Sequence, residues 1–428
     1  MSTTFDSSGL DPATTVAVTG LGAVSPWGWT VHDFWRGLLA GEPGISEADQ
    51  FDVRGQRTSL ASEVRDDDRR RDDLVELWRS AAARRWSRAD RFAVAASVEA
   101  WHHAELDTSN NDGEVGIFFG GSTAAMAEGE EFFEQLLRQR RPRPTIRYLA
   151  SHQINGPGDA VARHLGVCGR VETLSSACAS GGLALGSALD ALRRGEVDIA
   201  LAGGADSLCK LTYAGFNSLR AVDAELCAPF HAERSGLNLG EGAGVLILET
   251  VARALSRGRT PLALLLGHGA SCDAHHMTAP HPEGEGASRA IAAALRDADV
   301  GPAEILFINA HGTGTQLNDK AEGAAFARIL EQRVSHVPVT STKGLVGHYL
   351  GSSGAIEAVA SVLGLHHGLV HPTPGRGEVD PEIPVDLVRR DPRRLDTSGP
   401  GLGCAVSTSF AFGGSNAAVV FARWPRAS

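Results

Sequence analysis

Short apolar runs, glycine-rich turns and longer stretches with helical periodicity alternate along the chain, the pattern of a sheet covered by helices. Residues 16–22 (VAVTGLG) predict a buried strand closing in a turn, and 31–39 (VHDFWRGLL) an amphipathic helix. Residues 89–106 carry helical composition and period, and 115–119 (VGIFF) form another short buried strand. Residues 197–203 (VDIALAG) read as a continuous apolar run, as in a parallel strand buried on both faces. Residues 236–249 read as a glycine-rich loop running into a strand, a packed turn beneath an active site. Its GEGAG is followed by neither lysine nor helix, and the GLG of the first strand lacks a third glycine, so neither is a phosphate site.

Two segments stand apart. Residues 171–195 (VETLSSACASGGLALGSALDALRRG) predict a strand, a turn of small residues and a helix, and residues 337–368 repeat that layout. Each continues into an apolar strand with glycines, from Val197 in one case and across 404–421 in the other. The repetition predicts two pseudo-duplicated α/β halves facing each other, 1–260 and 261–428, with the seam in ARALSRGRTP.

Cys178 occupies the first of those small-residue turns. A cysteine at a helix N-terminus faces free backbone N–H groups and the positive end of the helix dipole, which predicts a stabilised thiolate. The two glycines that follow cost about 1 kcal/mol each inside a helix, so tight packing or catalysis must offset them. In the second half, 305–315 (ILFINAHGTGT) predict a strand ending at His311, the end where open α/β sheets place ligands. Thr313 and Thr315 offer hydroxyls for a polar arm. STKGLVGH supplies Lys343 and His348, and Glu357 stands on an otherwise apolar helix, where Lys343 is its natural partner. His275/His276 and His366/His367 lack acidic or cysteine companions at ligand spacing and read as structural; no metal site is predicted.

Composition narrows the function class. A formal net charge of -11 over 428 residues argues against nucleic acid as the main partner. Nowhere do 18 apolar residues run together, and the N-terminus carries no basic, apolar leader, which predicts no membrane association. Six cysteines without a CxxC pair predict a reduced, cytoplasmic enzyme. Mixed charges at 66–73 (DDDRRRDD) read as solvated surface, and 138–147 (RQRRPRPTIR) are the most basic stretch, able to dock an acidic partner.

From VAVTGLGAVSPWG through FWRGLLAGEPGI, SSACASG, LAGGAD, GEGAGVLILE, HGTGTQLND and TKGLVGHYLGSSGAIEA to SFAFGGSNAAVVF, the chain resembles the β-ketoacyl-acyl carrier protein synthases of the thiolase superfamily. The resemblance implies a thiolase-like five-layered α/β/α/β/α fold and decarboxylative condensation of an acyl thioester with malonyl carrier protein, without a cofactor. It implies that Cys178 accepts the acyl group, and that His311 and His348 bind the malonyl thioester carbonyl and promote decarboxylation. Lys343 then shapes the site electrostatically with Glu357 as its ion-pair partner, and Asp319 is a supporting acid. Phe410 matches the gating phenylalanine whose backbone N–H joins that of Cys178 in an oxyanion hole, and Thr313 and Thr315 match contacts to the phosphopantetheine arm. Relatives dimerise through the strand before the nucleophile, here residues 170–174. Acyl carrier protein is acidic, which makes Arg138, Arg140, Arg141, Arg143 and Arg220 candidate docking residues, while 120–133 would set pocket depth.

The family's PFDxxRDG stretch reads PFHAERSG here, with His231 and Ser235 in place of aspartates, and Ala411 replaces a common glycine of the gate, predicting a stiffer loop. Three other readings stay beside the main one. The chain could be a ketosynthase subunit working only as a heterodimer with a chain-length-factor homologue, or a non-condensing scaffold. A CoA-dependent thiolase would need a second cysteine where this chain has its histidines, and Cys404 lacks that context.

Overall fold

The computed structural model describes residues 9–65, 72–80, 82–107, 113–138, 145–398 and 401–425. The first half contributes strands β1 (Val16–Val24), β2 (Val115–Gly120), β3 (Val171–Leu174), β4 (Ile199–Asp206) and β5 (Gly242–Thr250). The second contributes β6 (Ala263–Cys272), β7 (Ile305–Asn309), β8 (Pro338–Thr340), β9 (Cys404–Phe410) and β10 (Ser415–Arg423). Within the first half the strands lie in the order β1-β5-β4-β2-β3, and within the second β6-β10-β9-β7-β8. Both orders are first, fifth, fourth, second, third, and both change from antiparallel to parallel pairing at the same step. This shared topology is the predicted duplication. The halves meet where β1 pairs with β6 from Val16↔Leu265 to Val18↔Ala263, and with the two-residue strand Asp386–Leu387 beside β8 they form one eleven-stranded sheet among the described residues.

Helices fill three layers. In the first half α1 (Val31–Ala40) follows β1, α2 (Arg88–His103) and α3 (Gly156–Leu165) cover its outer face, α4 (Ser180–Arg193) lies inside, and α5 (Lys210–Ser218) follows β4. In the second half α6 (Glu285–Asp297) and α7 (Gln316–Leu330) form the outer layer and α8 (Ser353–His367) lies inside against α4. Alternation along β4 serves two layers at once: Ala200 and Ala202 face the central helices, Ile199 and Leu201 the outer ones. Between the two outer cores, α4 and α8 bury Leu185, Leu189, Ile356 and Val359 with apolar residues from both halves. The result is the five-layered α/β/α/β/α arrangement.

Three expectations need correction. β1 does not close in a turn at its GLG but runs on to Val24, because α2 lies directly against it: a Cβ on Gly22 would stand 1.8 Å from the Ala96 carbonyl oxygen, and one on Gly20 2.2 Å from that of Ala100. Residues 404–421 are two strands of a hairpin, split by a turn in which Gly413 and Gly414 take φ of 86° and 80°. Ala411 in that turn has no positive φ, so it removes no freedom the backbone uses. Residues 66–71 of the charged run lie outside the described residues.

Candidate active site

β3 delivers the chain to a sharp elbow. Ala177 sits at φ 45°, a left-handed conformation that costs an alanine about 1–2 kcal/mol. Ser180 holds it there, its hydroxyl accepting from the Ser176 N–H at 2.8 Å and donating to the Ala177 carbonyl at 2.6 Å. Gly181 is required by packing, since a Cβ there would come within 2.6 Å of the Ala355 nitrogen on α8. The elbow thus presents Cys178 where the two central helices approach. The expected stabilised thiolate is not what this burial produces: α4 begins only at Ser180, and desolvation pushes the Cys178 thiol up to about 11. The Lys343 charge and the backbone N–H groups of Cys178 and Phe412 pull the other way without overcoming it.

The second half delivers its groups from strand ends. β7 ends just before His311, whose own N–H donates to Glu322 Oε1 at 2.8 Å and to Thr408 Oγ1 at 3.0 Å. Lys343, on the short helix Lys343–Val346 after β8, is buried beside Glu357 of α8 in an ion pair and reaches His311 Nδ1 at 3.2 Å. An ammonium has only hydrogens to offer, so His311 Nδ1 accepts and its hydrogen resides on Nε2. His348 is fixed in the same tautomer by different groups: its Nδ1 accepts the Leu350 N–H at 2.9 Å and lies 3.0 Å from the Ser353 hydroxyl. Burial and the Lys343 charge hold both imidazoles well below 6.5, hence neutral. The two rings are 5.5 Å apart and nearly perpendicular. Cys178 Sγ and one ring nitrogen of each histidine lie within 4.8 Å of one another. Residues up to 170 positions apart therefore converge on one point.

That point lies in a cavity of about 310 Å³, lined also by Thr313, Thr315, Phe216, Arg220, Phe410 and Phe412. The hydroxyls of Thr313 and Thr315 are 2.9 Å apart along its wall. Asp319 is buried and accepts from the N–H groups of Phe230 and Gly314, binding the HGTGT turn to the PFHAERSG loop. Arg234 of that loop pairs with Asp380 at 2.6 Å, and His231 is buried with Nδ1 2.9 Å from the Pro229 carbonyl, while Ser235, the other departure, is exposed and lines the cavity.

Phe410 is displaced from its expected role. It is the last residue of β9, paired with Asn416, and its ring faces His311 at 5.9 Å. The N–H directed at the Cys178 sulfur belongs to Phe412, two residues on, whose ring stacks on Phe216 at 5.6 Å. Glu322 was also missed: both its oxygens accept backbone N–H groups, from His311 and from Gly312 at 2.7 Å, while burial pushes its carboxyl up to about 7. Its spacing of three from Asp319 on α7, an acidic pair on one helix face, is the signal that would have found it. Of the docking candidates, Arg220 lines the cavity and Arg138 pairs with Glu134 on the exposed helix Met126–Leu137. Arg140, Arg141 and Arg143 lie outside the described residues. His366 and His367 pack on each other, His367 also stacks on Trp35, and His275 packs on His281.

Comparison with known proteins agrees with this geometry. Residues 13–254 match the family model "Beta-ketoacyl synthase, N-terminal domain" and 262–376 its C-terminal counterpart. The chain belongs to the β-ketoacyl synthase family. This β-ketoacyl synthase is 36% identical over 418 residues to 3-oxoacyl-[acyl-carrier-protein] synthase 2 of Synechocystis sp., covering 96% of this chain and 98% of that one. Among solved structures it is similar to the ishigamide ketosynthase/chain length factor, with a TM-score of 0.88, 33% identity, and 96% and 100% of the two chains covered. It is also similar to a type II polyketide synthase ketosynthase bound to the hexaketide in complex with its acyl carrier protein, with TM-score 0.85, 29% identity, and 96% and 100% covered. As a β-ketoacyl synthase it is a condensing acyltransferase.

Proposed function

We propose that this protein elongates carrier-bound acyl chains by decarboxylative Claisen condensation, in fatty acid or polyketide assembly. The observation that carries the reading is the meeting of one thiol with two neutral imidazoles whose Nδ1 atoms are both engaged as acceptors. Cys178 sulfur attacks the acyl thioester carbonyl, the carrier thiol leaves with the proton, and the N–H groups of Cys178 and Phe412 face the oxyanion. Each such donor contributes about 3 kcal/mol in comparable sites. Malonyl carrier thioester then loses CO2; the electron pair of the broken C–C bond becomes an enolate whose oxygen lies between the Nε2–H groups of His311 and His348. The enolate carbon attacks acyl-Cys178, and collapse of the intermediate expels the thiolate and releases the β-ketoacyl product. Thr313 and Thr315 hold the pantetheine arm. Neither step calls for a cofactor, and an Nε2 that carries hydrogen has no lone pair for a metal.

The edge strand β3, with Val171 part-exposed, supports dimer formation through residues 170–174. The likeness to a ketosynthase/chain length factor pair favours a second reading, a subunit active only beside a silent homologue. Six free cysteines support a reduced, cytoplasmic setting; among the described residues no helix is long and apolar enough to cross a membrane.

Mass spectrometry and CO2 release test the reading together. Cys178→Ala loses the acyl adduct and condensation but still decarboxylates malonyl carrier protein; His348→Ala keeps the adduct and loses decarboxylation. A wild-type chain that forms no adduct makes the protein a scaffold. One that condenses alone as a homodimer removes the heterodimer requirement.

A further inference from the structure

His348 owes its tautomer to a turn that its own residues do not favour. Its Nδ1 accepts the Leu350 N–H at 2.9 Å with Leu350 at φ 54°, a left-handed conformation that a bulky side chain rarely adopts. The next two N–H groups of that turn are held from outside it. Gly351 donates to the Ser122 hydroxyl at 2.9 Å, and Ser352 donates to Asp206 Oδ2 at 3.1 Å. Ser122 and Asp206 both belong to the first half of the fold, one just after β2 and the other the last residue of β4.

Asp206 is wholly buried, and the backbone groups it meets are donors. Its Oδ1 accepts the N–H groups of Ser122 at 2.9 Å, Thr123 at 2.7 Å and Ala124 at 3.2 Å. Its Oδ2 accepts the Ser122 hydroxyl at 3.2 Å, so that hydroxyl gives its hydrogen to Asp206 while taking the Gly351 N–H. One carboxyl group therefore pins two segments from opposite halves, residues 122–124 and the turn that begins two residues beyond His348. Neither Asp206 nor Ser122 lines the cavity.

Ser353 makes this hold necessary. Its hydroxyl, 3.0 Å from the same Nδ1, can donate or accept and so suits either tautomer, whereas the Leu350 N–H can only donate. When the turn relaxes, hydrogen can pass to Nδ1. Nε2 then becomes an acceptor, which repels an enolate oxygen.

We propose that Asp206, through Ser122 and the Ser352 N–H, is a positioning residue that keeps hydrogen on His348 Nε2. Its consequence for decarboxylation rests on the condensing reading above. His311 is set separately, by Lys343 and Glu322.

Two variants test the role. Asp206→Asn keeps the volume but turns an amide NH2 toward backbone donors, and Ser122→Ala removes the hydroxyl between Asp206 and Gly351. Nitrogen NMR of histidine-labelled protein reads the tautomer, with His348 assigned by the signal that His348→Gln loses. In the wild type His348 carries its hydrogen on Nε2; in both variants a second set of signals appears with hydrogen on Nδ1, and His311 keeps its own. The kcat for CO2 release from malonyl carrier protein falls about 10–100-fold in Asp206→Asn and by less in Ser122→Ala, while KM and the rate of Cys178 acylation stay within about threefold of wild type. Unchanged His348 signals in the folded variants overturn the proposal, as do equal losses of acylation and decarboxylation, the mark of a merely structural aspartate. If Asp206→Asn does not fold, Ser122→Ala decides alone. A wild type that releases no CO2 overturns the condensing reading, and the NMR signals, which need no substrate, still decide the role of Asp206.

Discussion

Lys343 Nζ lies 3.2 Å from His311 Nδ1 while paired with Glu357, so one ammonium both holds a buried carboxylate and dictates the tautomer of a histidine. Lys343→Met separates these duties. Without its donor, His311 can carry hydrogen on either nitrogen, and decarboxylation of malonyl carrier protein falls about 10²-fold or more. Glu357 is left buried without its counter-charge, a loss of about 3–5 kcal/mol for an ionised group. Burial already pushes Glu357 up to about 7, above an unfolded value near 4.5. Between those values the folded state binds the extra proton, so stability falls as pH rises. Urea midpoints of the variant therefore drop more between pH 5.5 and pH 8 than those of the wild type. Adding Glu357→Gln restores stability and leaves decarboxylation low.

Cys178 is not poised as a thiolate. With its thiol pushed up to about 11, the ionised fraction at pH 7 is about 10⁻⁴. Iodoacetamide alkylation, read on the Cys178 peptide to exclude the exposed Cys168 and Cys272, rises about tenfold per pH unit from 7 to 9.5. A plateau near pH 7 would instead require the helix dipole to outweigh burial.

What could be read from the sequence was local in origin. The strand-turn-helix units around Cys178 and His348 depend on neighbouring residues, and the motifs carried Cys178, His311, His348, Lys343 and Glu357 by type and spacing. The remainder is tertiary. A backbone N–H has no letter, so nothing distinguished Phe412 from Phe410 until the β9–β10 turn was seen to bring one amide to the sulfur. Thiol ionisation depends on what covers the elbow, and helix α4 alone pointed the wrong way. The glycines of β1 read as a turn because the helix that makes them necessary lies some seventy residues downstream, at Ala96 and Ala100.

That contact is itself testable. An ideal Cβ on Gly22 meets the Ala96 oxygen at 1.8 Å and its α-carbon at 3.0 Å, both backbone atoms that no rotamer change can move. Gly22→Ala therefore destabilises by about 3 kcal/mol or more, at the upper end of overpacking costs. Gly215→Ala on α5 is the control: its Cβ meets nothing within 4 Å, and it gains up to about 1 kcal/mol of helix propensity. Urea unfolding of the two variants separates direct strand-helix packing from a general sensitivity to alanine.

Glu322 makes the sharpest distinction between positioning and catalysis. Its oxygens accept the His311 N–H at 2.8 Å, the Gly312 N–H at 2.7 Å and the Thr408 hydroxyl at 2.8 Å, yet it offers nothing to the cavity. Glu322→Gln keeps the shape but replaces one acceptor with an amide NH2, leaving a donor opposed to a backbone donor in a buried site, a mismatch of about 1–3 kcal/mol. The turn carrying His311 moves to relieve it. Decarboxylation, which needs His311 within hydrogen-bond reach of the enolate oxygen, falls by about 10–100-fold for that free energy, whereas acylation of Cys178, which relies on the amides of Cys178 and Phe412, changes less than threefold. A merely structural glutamate would lower both rates together with the folded fraction, so equal losses in the two half-reactions would refute the assignment.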